Sequence, residues 1–215
     1  MQFNGPERDD LIDVRSLNIA FLEYLSSPPG EQMRQDLPMS LQPVVVALTD
    51  RQIDRLAKVP FLLLTLSESD DAYWSRILTD CPVRDLFACG SADTDSIERI
   101  MSAALGFLWQ LARRNPYATR LISGGSLRWC EQLASCTLLS VLRCAHLHQQ
   151  LARPRLVDNA VFWQRLLGAG LSSDNDVRRA AHLASLQTML IPVDVTPAQR
   201  FRTAACHTSV PVLKL

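Results

Sequence analysis

Cysteine and histidine residues come closest to forming a metal site in this sequence. Cys144 and His148 are four residues apart, so on a helix they lie on one face and can reach a common ion. Cys206-His207 or His182 would have to complete the ligand set. The sequence contains no Cys-x-x-Cys and no His-Glu-x-x-His, and buried thiols beside a solvated histidine explain the same residues. We therefore expect no metal and no cofactor.

A cysteine nucleophile is the second chemistry that the composition allows. Cys136 or Cys206 would need His182 beside it, and an activated thiolate needs an electropositive, accessible setting. Nothing in the neighbouring sequence supplies that setting. The sequence also lacks a phosphate loop and a dinucleotide-binding fingerprint. We therefore assign no catalytic residue, and a metal- or thiol-dependent enzyme is the least favoured interpretation.

Several arginines are candidates for contacts with an anion or a partner. The turn Gly124-Gly125-Ser126 opens a helix, where free backbone N–H groups favour an anion, and Arg120 and Arg128 flank it. The simpler interpretation is a turn followed by a serine cap. The full set of candidate contact residues comprises Arg120, Arg128, Arg178, Arg179, Arg200 and Arg202.

Residues 167–190 have the order of a DNA-binding helix-turn-helix: a helix, a Gly-Ala-Gly turn and a second helix. Most of the second helix is predicted to be buried because of its apolar residues Ala180, Ala181, Leu183, Ala184 and Leu186. Arg178, Arg179 and His182 are then left at one end. Other arginines close to this unit in sequence are Arg153, Arg155, Arg165, Arg200 and Arg202. We expect phosphate contact rather than base reading, so nucleic-acid binding is the alternative function.

The net charge of zero hides an asymmetry between two parts of the chain. Residues 1–95 hold 8 Lys+Arg against 16 Asp+Glu, giving −8, whereas residues 96–215 hold 14 against 6, giving +8. Basic surface on the second part would attract nucleic acid or an acidic protein. Alternatively, the two parts neutralise each other within one fold or an antiparallel dimer. We favour this second interpretation, because surface pairs of mixed sign are common and individually weak.

Composition favours an all-α cytoplasmic protein. The 215 residues are 47% hydrophobic and 20% charged, which is typical of a globular chain. Segments of alternating Val, Ile and Thr are nearly absent, which argues against strands. Residues 1–13 include four acidic residues and no apolar stretch, so we expect no secretory signal. No membrane span is expected either, and the six cysteines are then reduced thiols.

Two apolar segments between residues 95 and 150 are predicted to form the core. The first is a helix that begins at Asp95, its N-terminal cap, and ends at Asn115-Pro116. Its inner face, read from three- and four-residue steps, is predicted to contain Ile97, Ile100, Met101, Ala104, Leu105, Leu108, Leu111 and Ala112. The second segment, residues 127–147, is predicted to be one helix, joined to the first by a turn.

The remaining elements are predicted from caps and helix breakers. A helix over 9–25, a short polar helix over 31–36 and an extended connector over 37–46 come first. Thr49 and Gln52 form a capping box for a helix through Lys58. Residues 61–66 are predicted to be buried, and a helix over 72–78 follows. Later helices are predicted at 158–167, closed by a glycine cap, at 177–190, capped by Ser173 with Asp176, and from Thr196, before an extended tail at 209–215.

A pattern that recurs with an offset of 55 residues indicates a helical repeat. Trp74 is followed by Cys81 and Cys89 at the spacing that separates Trp129 from Cys136 and Cys144. A Leu-Ala-basic triplet and a proline-aromatic pair precede both tryptophans, and Trp163 belongs to a shortened third copy. Such units bury apolar surface by stacking, as in an α-solenoid or an orthogonal bundle. Chance similarity between Leu- and Ala-rich helices is the alternative.

We therefore predict one all-α domain over residues 1–215, built from two to three degenerate helical hairpins. Its parts are an N-terminal helix and connector (1–48), a repeat-like core (49–150), C-terminal helices (151–208) and the tail (209–215). The predicted function is a non-enzymatic protein-interaction or regulatory module of a bacterial-type cytoplasmic protein, bound to a protein partner or to a second copy. A nucleic-acid-binding regulator that uses the basic C-terminal half is the alternative.

Overall fold

The computed structural model describes residues 5–79 and 96–191, and helices make up most of both ranges. The α-helices are α1 (Arg8–Ser26), α2 (Glu31–Arg34), α3 (Gln42–Val46), α4 (Asp50–Leu56), α5 (Asp71–Thr79), α6 (Ser96–Arg114), α7 (Pro116–Ser123), α8 (Leu127–Ser135), α9 (Leu138–Leu147), α10 (Ala160–Leu167) and α11 (Asn175–Leu190). Short 3-10 turns lie at Pro28–Gly30, Gln149–Leu151 and Ala169–Leu171, and two-residue strands lie at Leu64–Thr65 (β1) and Arg153–Pro154 (β2). The predicted all-α class is confirmed.

Helix α6 is the centre of the core. Its buried residues are the eight that the three- and four-residue spacing predicts. It packs against α1, α7, α8 and α9, and a continuous cluster of buried apolar side chains extends from α1 to α10. The described residues therefore form one domain. The predicted cap Asp95 lies outside them. No helix in the two described ranges combines the length and apolar surface needed to cross a bilayer.

The segment after α6 differs from the predicted hairpin in two ways. The predicted connecting turn contains a helix, α7, because Asn115 caps it by accepting from the Ala118 N–H and Pro116 occupies its first turn. The predicted single helix over 127–147 is two helices, α8 and α9. They separate at Cys136, and the Thr137 side chain caps α9 by accepting from the Ser140 N–H. Local caps thus divide a run whose apolar pattern is continuous.

Two predictions in the N-terminal part have opposite outcomes. The capping box at the start of α4 is confirmed, with the Thr49 N–H donating to Gln52 Oε1 at 2.9 Å. The extended connector at 37–46 is wrong, because this segment contains helix α3. Pro43 lies in the first turn of α3, where proline is tolerated since no intrahelical partner is required of its nitrogen.

The C-terminal helices begin at caps other than those predicted. Asn159 rather than Asp158 caps α10, and Asp174 rather than Ser173 caps α11. Gly168 has a φ of −97°, so it is not the left-handed glycine cap that the sequence indicated, and it leads into the 3-10 turn Ala169–Leu171. The helix predicted from Thr196 and the tail at 209–215 lie outside the described residues.

The predicted buried run at 61–66 crosses the core as non-helical backbone, and its apolar side chains are confirmed as buried. Asn18 on α1 binds this backbone from one side. Its Nδ2 donates to the Phe61 carbonyl at 2.8 Å, and its Oδ1 accepts from the Leu63 N–H at 2.8 Å. On the other side, β1 pairs with β2 in antiparallel register, with Leu64 opposite Pro154. The run is therefore held between α1 and the segment that precedes α10.

Arg155, directly after β2, completes the binding of this run. Its Nε donates to the Leu62 carbonyl at 2.5 Å, and one terminal nitrogen donates to the Leu64 carbonyl at 2.6 Å and to the Glu68 carboxylate at 3.0 Å. Arg155 and Glu68 are 5% and 3% exposed. Because a buried charge is stable only when it is paired and hydrogen-bonded, each of these two side chains requires the other.

The tryptophans of the predicted repeat contact each other. Trp74 of α5 and Trp129 of α8 meet edge to face, with ring centroids 5.6 Å apart and ring planes at 73°. The segments that precede them differ, because residues 61–66 are non-helical whereas 116–123 form α7. Cys81 and Cys89 of the first copy lie outside the described residues. The repeat therefore stays a prediction.

Replacing Glu68 by alanine is expected to destabilise the protein by about 3–5 kcal/mol, because the Arg155 guanidinium would remain buried without its counter-charge. The free energy of unfolding from urea denaturation measures this loss. Asp54→Asn is the matched control, since Asp54 pairs with Arg15 and Lys58 at the surface, where a lost pair costs about 1 kcal/mol or less. Equal losses in the two variants would contradict the role assigned to the buried pair.

Alanine substitutions at two glycines are expected to have opposite effects. Gly106 lies within α6, and an added Cβ would meet no atom within 4 Å, so Gly106→Ala should stabilise the protein by about 0.5–1 kcal/mol through helix propensity. Gly125 is buried, and an added Cβ would lie 2.7 Å from Trp129 Cε3, so Gly125→Ala should destabilise it. Urea unfolding of both variants tests this, and a stabilised Gly125→Ala variant would show that the turn is loosely packed.

Candidate functional site

A cleft lies between α4 and the beginning of α11, the helix that carries Arg178 and Arg179. The 3-10 turn Ala169–Leu171 packs against both helices, and Arg55 on α4 donates to the Leu171 carbonyl at 2.9 Å. Two hollows of about 580 and 400 Å³ share Lys58 and Arg178 among their lining residues. We call the combined surface the basic cleft, defined by its cations Arg51, Arg55, Lys58, Arg178 and Arg179.

The basic cleft has an excess of positive charge. Its five cations are accompanied by two carboxylates, Asp50 and Asp54, so its lining has a formal charge of +3. Asp54 already binds Lys58 at 2.9 Å and also binds Arg15 from outside the cleft. Hydrogen bonds from Arg15 and then from Lys58 lower the pKa of Asp54. An anion in the cleft would therefore meet positive charge that is largely uncompensated.

The arginines of the cleft bind neutral groups where they bind anything. Arg178 donates to the Ser172 carbonyl at 2.8 Å and to Asn175 Oδ1 at 2.7 Å, and neither acceptor carries a charge. Arg51 and Arg179 have no hydrogen-bond or ion-pair partner among residues 5–79 and 96–191. These two side chains are exposed and available to a ligand.

The backbone at the start of α11 is already satisfied by its cap. The Asp174 side chain accepts hydrogen bonds from the N–H groups of Asp176 at 2.8 Å and Val177 at 3.3 Å. These are donors that an anion at a helix N-terminus would bind. Positive charge in the cleft therefore comes from side chains, not from the end of the helix.

Exposed apolar side chains line the smaller hollow beside the cations. Leu11 of α1 and Leu183 of α11 are 39% and 51% exposed, and Pro60, which follows α4, lies with them in the lining. An apolar side chain from a ligand would remove their surface from water. The cleft therefore combines two kinds of recognition in one concave surface.

The predicted burial of α11 is wrong for several of its residues. Ala180 and Leu183 are exposed, whereas the buried residues are Ala181, His182 and Ser185. The helix packs on α10 and on the 3-10 turn before it, and the small side chains of Ala181 and Ser185 allow a close approach there. Leu183 projects from the other side, so a leucine occupies the face where a DNA-reading helix needs polar residues.

His182, predicted to lie at the exposed end of α11, is only 6% exposed. Burial first, and then the charge of Arg178, lowers the pKa of His182 below its usual 6.5, with a smaller opposing effect from the Gly170 backbone. Its Nε2 makes no hydrogen bond with any of the described residues. The imidazole is therefore uncharged at pH 7, and the positive charge of the cleft belongs to its arginines and Lys58.

The second group of candidate arginines lies at the turn between α7 and α8. The backbone N–H groups of this turn have acceptors within the protein. The Gly124 N–H donates to the Arg120 carbonyl at 2.8 Å, and the Gly125 N–H donates to Ser123 Oγ at 3.1 Å. Arg120 and Arg128 are exposed, and their role as anion contacts stays a prediction. The remaining candidates, Arg200 and Arg202, lie outside the described residues.

The candidate metal ligands and thiols are separated or buried. Among the described residues, no group of three or more His, Cys, Asp or Glu side chains is arranged to hold an ion. Cys206 and His207 lie outside those residues. Burial raises the pKa of the Cys136 thiol, and burial together with the charge of Glu68 raises the pKa of Cys130 to about 12. Both thiols are thus protonated at neutral pH, which disfavours a nucleophilic role.

Sequence reasoning found only one wall of the cleft. Arg178 and Arg179 were among the candidates, but the cations of α4 were not. The spacing of Arg51 and Arg55, four residues apart, was the available signal, because this step places side chains on one face of a helix, and Lys58 lies two residues beyond the end of α4. Their proximity to α11 depends on the 3-10 turn and has no local sequence signal.

Compared with known proteins, the sequence matches no family model and no curated protein, and it matches no solved structure. The fold and the site therefore define the protein only as an all-α domain that carries a basic cleft with an apolar edge.

Lowering the pH from about 7 to about 5 is expected to destabilise the protein partly through His182. The folded-state pKa of His182 lies below the unfolded value of about 6.5, so the unfolded chain binds more protons in this range. The free energy of unfolding therefore decreases as the pH is lowered. His182→Asn should therefore lose less stability than the wild type over this range, as measured by urea denaturation. His148→Asn is the comparison. Burial also lowers the pKa of His148, but this side chain is partly exposed. An unchanged pH dependence in His182→Asn would contradict the assignment.

Proposed function

We propose that this protein is a non-enzymatic protein-interaction or regulatory module, acting in the cytoplasm, and that the basic cleft is its binding surface. The observation that carries the proposal is the uncompensated charge of Arg51, Arg178 and Arg179 beside the exposed Leu183. The exposed Arg51, Arg179 and Leu183 and the half-buried Arg178 together form a surface suited to binding another macromolecule. Arginine in particular is enriched among the residues that dominate interface energetics.

The thiols support this proposal over an enzymatic function. The raised pKa values of Cys130 and Cys136 keep both side chains in the protonated, weakly nucleophilic form. His182 is buried on α11 and contacts the Gly170 backbone rather than a thiol. Of the residues considered for chemistry, Cys136 and His182 are therefore suited to packing rather than to catalysis, and Cys206 and His207 lie outside the described residues.

Nucleic-acid binding is the second candidate function, and Arg178 and Arg179 favour it. Both lie in the early turns of α11, and their charge suits phosphate groups, whose contacts are set mainly by Lys and Arg. The exposed Val177 and Leu183 on the same helix make base reading unfavourable. This candidate therefore remains a sequence-independent phosphate interaction.

A pull-down that uses the full chain as bait in lysate of the source organism tests the proposal. The wild type should retain a partner protein after nuclease treatment. The retained amount should fall at least about tenfold with Arg51→Glu/Arg179→Glu, because each lost charge pair weakens binding. These two arginines have no partner among the described residues, so their reversal breaks no internal bond there. Quantitative mass spectrometry of the retained proteins gives the ratio.

Arg120→Glu/Arg128→Glu is the matched control, because it changes the net charge equally on a different exposed surface. It should retain the partner. Loss of the partner with this control but not with Arg51→Glu/Arg179→Glu would assign the interface to the turn between α7 and α8. Nucleic acid retained in place of protein would favour the second candidate.

A further inference from the structure

We infer that the basic cleft binds an acidic segment of a partner protein that also presents an apolar side chain. Carboxylates of this segment pair with Arg51, Arg178 and Arg179, and the apolar side chain covers Leu11 and Leu183. The inference rests on the proposed function and specifies the chemistry of the partner.

Charge complementarity selects an acidic segment. The lining carries a formal +3, and within the described ranges Lys58 alone among its cations pairs with a carboxylate, Asp54. Arg178 is held in place by neutral acceptors, Ser172 and Asn175, so its guanidinium is positioned but its charge is not neutralised. Hydrogen bonds between a guanidinium and a carboxylate are roughly twice as strong as neutral ones. A basic segment would meet repulsion on both walls.

The apolar edge favours a polypeptide over a nucleic acid. A phosphate backbone is attracted by the cations but leaves Leu11 and Leu183 exposed to water. A peptide with an apolar side chain covers both leucines. Single-stranded nucleic acids also use aromatic side chains as stacking platforms. No Phe, Tyr or Trp is present among the described residues that line the two hollows, and the His182 ring in the lining is buried.

The lining of the cleft favours a protruding segment over a bilayer. The hollows of about 580 and 400 Å³ are open to solvent and are lined by residues from α1, α4 and the beginning of α11, rather than by one helix. Hollows of this volume accept individual side chains. A membrane surface is instead bound by an exposed amphipathic face that lies flat on the headgroups.

The direct test titrates the full chain into three fluorescent peptides of equal length and measures anisotropy. One peptide is rich in glutamate with a single central leucine, the second has alanine in place of that leucine, and the third has lysine in place of glutamate. The first should bind, the second should bind about fivefold more weakly, and the third should not bind. Failure of the first to bind, or equal binding of the lysine peptide, would overturn the inference.

Protein variants locate the binding. Arg51→Glu/Arg179→Glu should weaken binding of the glutamate-leucine peptide at least about tenfold, and Leu183→Ala should weaken it about fivefold. Leu139→Ala is the matched control, since Leu139 is 50% exposed on α9, against 51% for Leu183. It should bind as the wild type does. An NMR titration of His182 gives an independent readout, because a carboxylate beside Arg178 should raise the pKa of that imidazole. Binding unaffected by Leu183→Ala would overturn the inference.

Other occupants give distinct outcomes. An oligonucleotide or an anionic lipid vesicle that binds through Arg51 and Arg179 more tightly than the glutamate-leucine peptide would overturn the inference. So would a salt-sensitive dimer in sedimentation that Arg51→Glu/Arg179→Glu abolishes, because a second copy would then occupy the cleft. A cellular partner lost with Arg51→Glu/Arg179→Glu but retained with Leu183→Ala would contradict only this inference. Absence of any captured protein would instead contradict the proposed function.

Discussion

The rest of the structure depends on hydrogen bonding to a non-helical run of backbone that is buried among helices. Residues 61–66 lie outside any helix, so their N–H and C=O groups have no partners within a helix of their own, and leaving such groups unpaired in the core costs several kcal/mol. Besides the backbone pairing of β1 with β2, side chains supply several of the partners: Asn18 from α1 and Arg155 from the segment after β2. The Leu62 N–H donates to the Ile122 carbonyl of α7. Three distant parts of the chain are thereby fixed around one stretch of backbone.

The same network positions both walls of the basic cleft. Pro60 and Lys58 precede the buried run directly, so the end of α4 is anchored where the run enters the core. On the other wall, the Arg155 carbonyl accepts a hydrogen bond at 2.6 Å from Trp163 Nε1 of α10, and α11 packs on α10. The cleft is thus positioned by two connections to one buried network. Its cations lie on helices or directly after one, which positions a binding site better than loops alone.

Sequence reasoning succeeded where the relevant physics is local and failed where it is not. The buried face of α6 was predicted residue by residue, because a 3.6-residue period reports which side of a helix faces the core. The break at Cys136 was missed because a single threonine cap outweighs a continuous apolar pattern. Arg155 was grouped with the arginines close in sequence to residues 167–190, since its partner Glu68 lies 87 residues away and neither has a local signal of burial. The α4 wall of the cleft was missed because its proximity to α11 has no local sequence signal.

The charge asymmetry of the sequence is only partly a property of the folded surface. Arg114 binds Glu7 and Asp10, and Arg155 binds Glu68, so some of the opposite charge of the two parts is neutralised within the fold. The basic cleft, however, draws Arg51, Arg55 and Lys58 from the acidic part of the chain and joins them to Arg178 and Arg179 from the basic part. Electrostatic attraction acts over about 8–10 Å at physiological salt. The proposed binding at the cleft therefore depends on the local arrangement of these five cations rather than on the net charge of either part.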